Sequence, residues 1–245
     1  QLGVYVENKG NCTIVACKIN NHPNTAITVS DSEITVLDSE ISKNDGNGIL
    51  ALNSSVLNLE SSKFHSNNMP HIAGKTSCKL TANHCDFSDG KSIYMLDQSE
   101  VNLTYCKILD GTGVQVEVTD QTKLTMANCV IRKSTGNAVK ASRNSTVHIS
   151  DSQIAEHRLP QIVINDSSLI FRNSELIDGE RNGFIIENHS EAHIQDSFIS
   201  KHRYPQLWID KNSTVELKMT QVTEGKESDI YVQNNSSVYG DQCII

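Results

Sequence analysis

The chain has 245 residues and a formal net charge of −8 at pH 7, with 37% hydrophobic and 5% aromatic residues. This acidic balance argues against a surface for nucleic acid or for an anionic membrane. No apolar run approaches the roughly 20 residues that a membrane-spanning helix needs.

A short pattern, apolar-x-apolar-x-x-(Ser/Cys)-x-apolar, recurs about eleven times from one end of the chain to the other. One copy is Ile34-x-Val36-x-x-Ser39-x-Ile41. A step of 21 to 23 residues between copies predicts a solenoid in which each coil packs on its neighbours. The repeat is unbroken, so we expect a single domain over residues 1–245, excised from a longer protein. The small residues of the pattern are Cys17, Ser39, Ser62, Cys85, Cys106, Cys129, Ser152, Ser174, Ser197, Thr220 and Cys243.

The spacing of apolar residues within one repeat predicts three short strands. Residues two apart share a face of a strand, as Ile27 and Val29 do. A step of three then leads to Ser32, which starts a second series, and another step of three leads to Ser39. The third corner is the loop 42–48, rich in Asn, Asp and Gly. We therefore predict an all-β, right-handed parallel β-helix of about 11 coils of 21–23 residues.

This repeat geometry resembles the right-handed parallel β-helix superfamily with the pectate-lyase-like fold, over the whole chain. The resemblance implies that enzymes of such a fold act mainly on acidic polysaccharides. Those similar to polygalacturonases carry catalytic Asp residues just before the first strand of consecutive coils. The matching positions here hold no acidic residue; they are Asn47, Pro70, Ser92, Gly113, Asn137, Pro160, Asn182, Pro205 and Ser228.

All seven cysteines occupy repeat positions where other coils place Ser, Thr or an aliphatic residue. We expect them to be free thiols that act as small buried fillers. No CxxC pair is present and a single-file ladder cannot close a tetrahedron, so no metal site or cofactor is predicted. A stack such as Cys85, Cys106 and Cys129 is safer in a reducing compartment, which favours the cytoplasm. A secreted or cell-surface protein is the alternative.

One outward position of the first strand forms a row along the solenoid, and its last four members are large and apolar: Val163, Ile185, Trp208 and Tyr231. Such an exposed stripe is typical of a binding surface. A covering loop or a missing segment is the other interpretation. The preceding members of the row are predicted to be Tyr5, Thr28, Ala51, Ala73, Met95, Glu117 and Lys140.

Beside that stripe, the third corner carries His157, Arg158, Glu180, His202 and Arg203. The repeat stacks Arg158, Glu180 and Arg203 as a column of alternating charge. One interpretation is a polar pocket floor next to Trp208 that suits a sugar or a peptide. The other is a structural ladder of ion pairs.

Two functional hypotheses follow. The first, which we favour, is a non-catalytic interaction or spacer module of a larger protein that binds a protein or a glycan. Its partner would be a flanking domain, a second copy or a carbohydrate. The second is a carbohydrate-active enzyme, a lyase or hydrolase, with an atypical site around His157, Glu180, His202 and Trp208.

Overall fold

The computed structural model describes residues 3–245, which form 32 strands in three parallel sheets. Sheet A contains β1 (Val4–Val6), β4 (Ile27–Ser30), β7 (Ile49–Leu52), β10 (Ile72–Lys75), β13 (Ile93–Leu96), β16 (Val116–Thr119), β19 (Val139–Ser142), β22 (Ile162–Asn165), β25 (Phe184–Glu187), β28 (Leu207–Ile209) and β31 (Ile230–Val232).

Sheet B contains β2 (Asn11–Val15), β5 (Glu33–Leu37), β8 (Val56–Glu60), β11 (Lys79–Asn83), β14 (Glu100–Thr104), β17 (Lys123–Ala127), β20 (Thr146–Ser150), β23 (Ser168–Arg172), β26 (Glu191–Gln195), β29 (Thr214–Lys218) and β32 (Ser237–Asp241). Sheet C contains β3 (Lys18–Asn20), β6 (Glu40–Ser42), β9 (Lys63–His65), β12 (Asp86–Ser88), β15 (Lys107–Gly111), β18 (Val130–Ser134), β21 (Gln153–His157), β24 (Glu175–Ile177), β27 (Phe198–Ser200) and β30 (Gln221–Thr223).

Each coil takes one strand from each sheet in turn, so the chain winds as a parallel β-solenoid. The predicted three strands per coil are confirmed. Sheets A and B have eleven strands and sheet C has ten, which corresponds to about ten complete turns, close to the predicted eleven. Among residues 3–245 there is no helix that could cross a membrane.

The core lies between the three sheets and is built from stacks of equivalent side chains. Ile27 pairs in register with Ile49, and both are fully buried. Phe64 and Phe87 stack in the same way, with ring centroids 5.2 Å apart. Because successive strand residues point to opposite sides, the interior set recurs every two residues and the alternate set faces solvent.

The Ser and Cys ladders lie at the inner corners, as predicted, and satisfy the backbone there. At the B–C corner the Ser152 Oγ accepts a hydrogen bond from the Cys129 backbone N–H (3.0 Å) and donates one to the Ser150 carbonyl (2.6 Å). The Ser152 backbone N–H in turn donates to Ser174 Oγ (3.1 Å). Each hydroxyl therefore links two coils at a bend where the strand ladder is interrupted.

No disulfide joins any of the seven cysteines in the structure. Four of them, Cys78, Cys85, Cys106 and Cys129, are buried as expected. Cys17 is exposed, and Cys12 and Cys243 are half-buried. These three lie in the first and last coils, where one side has no neighbouring coil among the described residues. The expectation of buried fillers therefore needs correction for the terminal coils.

The outward row of sheet A differs from the predicted row at two positions. Ala51 and Met95 are fully buried, and their neighbours Leu50 and Tyr94 take the outward places. Both segments are apolar at every position of the strand, so alternation of polarity does not decide which set faces inward. The remaining members, from Tyr5 to Tyr231, are in register as predicted.

Candidate functional site

The outer face of sheet A carries an apolar row near its C-terminal end, formed by Val163, Ile185, Trp208 and Tyr231. These residues are register partners on adjacent strands. The first three are half-buried, and Tyr231 is 40% exposed. The rings of Trp208 and Tyr231 stack with centroids 4.5 Å apart and planes inclined by 30°. The row thus presents two mutually packed aromatic rings next to aliphatic side chains.

A second row on the same face, two residues further along each strand, is polar. It consists of Asn165, Glu187, Asp210 and Gln233. This polar row is not among the residues predicted from the sequence. The signal was present, because residues two apart in a strand share a face, so the residue two places after each member of the apolar row must lie beside it.

Hydrogen bonds connect the aromatic pair to the polar row. Tyr231 Oη donates to Gln233 Oε1 at 3.3 Å, and Gln233 Nε2 donates to Asp210 Oδ2 at 3.0 Å. The other oxygen of Asp210 accepts from Asn234 Nδ2 at 2.7 Å. Burial alone would raise the pKa of Asp210. The hydrogen bonds from Asn234, Gln233 and the Lys211 backbone outweigh burial and hold that pKa below its ordinary value.

Glu187, the next carboxylate of the polar row, is also held in place. Its two oxygens accept hydrogen bonds from Asn165 Nδ2 (3.0 Å) and Lys211 Nζ (2.9 Å). The contact with Glu187 raises the pKa of Lys211. Amide, carboxylate and ammonium groups therefore hydrogen-bond to one another along the edge of the apolar row, which gives the face both apolar surface and directional hydrogen-bonding groups.

The predicted charge column forms only in part. Arg158 Nε lies 3.9 Å from Glu180 Oε1, and both side chains are about two-thirds exposed at 66% and 67%. Glu180 and Arg203 are exposed, and among residues 3–245 no ion pair joins them. A single exposed contact of this length contributes little.

The two predicted site histidines are inside the solenoid, so neither lies on the surface next to Trp208. His157 and His202 are both fully buried. This corrects the expectation of a pocket floor containing them. The residue five places after a Ser or Cys of the B–C ladder lies at the C–A corner, and at Asn44, Asn67, His157 and His202 it is buried.

Both histidines belong to a buried polar array at this corner, here called the C–A column. His157 Nε2 donates to Gln115 Oε1 at 2.8 Å, and His202 Nδ1 donates to Gln206 Oε1. Burial lowers the pKa of His157 to about 3 and that of His202 to about 4, so both rings are neutral near pH 7. The members of the column are Asn44, Asn67, His71, Ser92, Gln115, Ser134, His157, Gln161, His202 and Gln206.

The described residues 3–245 contain no group of three or more His, Cys, Asp or Glu side chains that could hold a metal ion. The apolar and polar rows together instead make a surface for contact. The Trp208–Tyr231 pair can pack on an apolar part of a ligand, while the half-buried Glu187 and Gln233 offer hydrogen-bond partners along one side, and the buried Asp210 holds Gln233 in place.

A comparison with protein families gives a match over residues 25–162 to the family described as "Right handed beta helix region". The chain belongs to the right-handed β-helix family. The match confirms the predicted handedness and the resemblance drawn from the repeat. No curated protein matches the sequence.

Several solved structures share the right-handed β-helix fold at low sequence identity. The periplasmic alginate epimerase AlgG has 9% identity and a TM-score of 0.61, with 99% of this chain and 78% of that chain covered. The A-module of Azotobacter vinelandii mannuronan C-5 epimerase AlgE4 has 10% identity and a TM-score of 0.53, covering 96% and 88%. The Agl-KA catalytic domain has 9% identity and a TM-score of 0.51, covering 96% and 59%. These likenesses show a fold that carbohydrate-active proteins also use.

Proposed function

We propose that this right-handed β-helix binds a polysaccharide along the outer face of sheet A. The observation that carries the proposal is the stacked pair of Trp208 and Tyr231 beside the hydrogen-bonded side chains of Gln233 and Asp210. Sugar rings have apolar C–H faces that pack on aromatic rings and hydroxyl edges that need directional polar partners. The two rows supply both kinds of group, side by side.

One further point supports a carbohydrate ligand over a protein partner. The solved relatives are named as enzymes of mannuronan and alginate. A polysaccharide ligand also favours a location outside the cytoplasm, as for the periplasmic AlgG, over the cytoplasmic location suggested by the thiols.

Substitution of the central aromatic residue tests the proposal. Trp208→Ala should weaken binding to a matching polysaccharide by about 5- to 30-fold, equivalent to about 1–2 kcal/mol of lost stacking. Affinity electrophoresis in gels that contain alginate, polygalacturonate or a neutral glucan measures this change. Tyr105→Ala is the matched control, because Tyr105 is an exposed aromatic residue (52%) that stacks on His84 at the B–C corner, away from sheet A.

The proposal fails if the wild-type protein is not retarded by any of the three polymers, or if Trp208→Ala and Tyr105→Ala change retardation equally. Loss of self-association or of a protein contact in Trp208→Ala, without any polymer binding, would identify the face as a protein interface instead.

Catalysis on the bound polysaccharide is the second candidate. The observation that favours it is the placement of Glu187, the last residue of β25, beside Asp210, the residue directly after β28, about one strand spacing of roughly 4.8 Å along the solenoid. The lowered pKa of Asp210 keeps its carboxyl group ionised, which suits a nucleophile but not a general acid. Asp210→Asn and Glu187→Gln should each abolish any measured cleavage or epimerisation of a polymer that the wild-type protein modifies. Retention of that activity in both variants would exclude this pair.

A further inference from the structure

One C–A corner, between β12 and β13, is shorter than the others. Nine residues separate Cys85 of the B–C ladder from Tyr94 of the outward row, whereas eleven separate Ser62 from Ala73 in the preceding coil and Cys106 from Glu117 in the next. At the outer turn of this corner, backbone hydrogen bonds join successive coils, and the Met69 N–H donates to the Gly46 carbonyl. The shorter corner has no residue equivalent to Met69, so this series of hydrogen bonds stops there.

The missing two residues leave a recess in the surface. It has a volume of about 300 Å³ and lies between the corner before β10 and the corner before β16. Met69 and Pro70 form one wall, Val114 forms the opposite wall, and Ile93 and the ring of Tyr94 form the floor. The volume is at the lower end of the range for ligand pockets in proteins, which suits a single ring.

The edge of the recess carries one cation without an acidic partner. Lys91 lines the recess, and among residues 3–245 no carboxylate forms an ion pair with it. The aliphatic chain of Lys91 lies beside Gly113, since a Cβ at Gly113 would be in ordinary van der Waals contact with Lys91 Cε at 3.4 Å. The one carboxylate in the lining, that of Glu117, is already paired with Lys140 Nζ at 3.1 Å.

We propose that this recess binds a small aromatic carboxylate. Asn68, Lys91 and Glu117 are the polar lining residues, and the other five, Met69, Pro70, Ile93, Tyr94 and Val114, offer mainly apolar surface. A sugar ring placed against those five residues would leave hydroxyls without partners, at a free-energy cost. A planar aromatic ring has apolar faces on both sides and fits between the walls. The carboxylate then lies at the edge, where the ammonium of Lys91 neutralises it.

The site is separate from the proposed polysaccharide surface. Tyr94 and Trp208 belong to the same outward row, but five strand spacings lie between them, which is roughly 24 Å along the solenoid. The two proposals therefore stand or fall independently.

A matched set of ligands tests the recess with the full chain. Benzoate carries the ring and the charge, benzyl alcohol the ring without the charge, and glucuronate the charge without an aromatic ring. We expect saturable ¹H–¹⁵N NMR shifts with benzoate, confined to residues near Lys91, Tyr94 and Val114. Benzyl alcohol should bind more weakly, and glucuronate should cause no shifts there.

Variants test whether the charge of Lys91 and the volume of the recess are needed for binding. Lys91→Gln should weaken benzoate binding by about three- to fivefold and leave benzyl alcohol unchanged, since it removes one partly exposed charge contact. Lys43→Gln, at the C–A corner of a coil of ordinary length, is the control and should change neither ligand. Val114→Trp should fill the recess and abolish benzoate binding. Trp208→Ala should leave benzoate binding unaffected even if it abolishes polysaccharide binding.

Three results would overturn the proposal. The first is the absence of saturable benzoate shifts around the recess in the wild-type protein. The second is glucuronate binding as tight as that of benzoate with the same shifts, which would make the recess a sugar site. The third is equal weakening by Lys91→Gln and Lys43→Gln, which would reduce the effect to net charge.

Discussion

Two kinds of inner corner hold this solenoid together, and they satisfy the buried backbone in different ways. The A–B and B–C corners use hydroxyl and thiol side chains of nearly constant size, such as Ser152. The C–A corner uses side chains that range from glycine to histidine. Gln161 Nε2, for example, donates to the Ile177 carbonyl at 2.6 Å, and Gln206 Nε2 donates to the Thr223 carbonyl at 2.6 Å.

From His157 onward, large and small residues alternate from coil to coil at the C–A corner. His157 and Gln161 lie in one coil, Gly179 and Gly183 in the next, and His202 in the one after that. A Cβ at Gly179 would lie 2.5 Å from His202 Cδ2 and 2.8 Å from Gln161 Nε2, so the glycine provides the space that its neighbours fill. The hydroxyl ladders thus fit any neighbour, whereas each member of the C–A column depends on the size and charge of the next.

The largest expected difference between the two kinds of corner is the loss of stability in acid, which only the histidines of the C–A column should cause. Burial lowers the pKa of His71 to about 4, of His157 to about 3 and of His202 to about 4, from an ordinary 6.5. The unfolded chain therefore binds more protons than the folded chain below pH 6.5. Stability is full above that pH and falls as the pH drops towards 4, by on the order of 2 kcal/mol per ring at pH 5. Chemical denaturation at pH 7.5 and pH 5 measures the loss.

The control for the acid effect uses residues that the column already contains. His71→Gln, His157→Asn and His202→Asn combined should remove most of the pH dependence between 7.5 and 5, because amides do not titrate. An unchanged pH dependence in this triple variant would assign the acid effect to other groups.

Gly179→Ala should have the next largest effect. The added methyl group would collide with two buried side chains, and we expect a loss of about 2–3 kcal/mol in the free energy of unfolding. Gly240→Ala is the control, since the nearest atom to its Cβ would be Cys243 Sγ at 4.0 Å. In the His202→Asn background the cost of Gly179→Ala should fall; full additivity of the two changes would contradict the coupling.

A hydroxyl corner should respond to size alone. Ser152→Leu should cost about 1–3 kcal/mol by overpacking a bend where Ser152 is 5% exposed. Thr125→Leu, on the exposed outer face of sheet B, should change stability by less than about 0.5 kcal/mol. Thermal denaturation at two pH values tests both, and the Ser152→Leu loss should be the same at each. Equal stability of both variants would mean that the faces are assigned incorrectly.

Thiol labelling tests the packing of the Ser and Cys ladders without changing the sequence, and it has the smallest expected effect. Cys78, Cys85, Cys106 and Cys129 should resist a bulky alkylating reagent until the chain unfolds, and burial raises the pKa of Cys78 further from neutrality. Cys17, which is exposed, should react in the folded protein. Mass spectrometry of the labelled protein counts the modified residues. Rapid labelling of all four buried thiols in the native state would contradict the packing of the ladders.

The two kinds of corner also differ in how far the sequence predicts them. The hydroxyl ladders were predictable because the residue type repeats with the coil. The C–A column was not, because its positions vary from Gly90 to His157 and look like loop composition. His71 was missed for this reason, and His202 was placed on the surface. On sheet A the apolar row could be predicted from the repeat. The inward orientation of Ala51 and Met95 could not, because their strands are apolar on both faces.

Variation in coil length shows where this architecture accepts extra chain. The two small-residue ladders are seven residues apart in every coil, as from Ser145 to Ser152, so the sheet B segment has a constant length. The length changes only at the other turns, by one residue at Asp31 and Asp166 and by two at the corner before β13. Peptides grafted at the C–A corners would therefore project as a row with a spacing of roughly 4.8 Å, so the protein could serve as a scaffold that displays peptides at regular intervals.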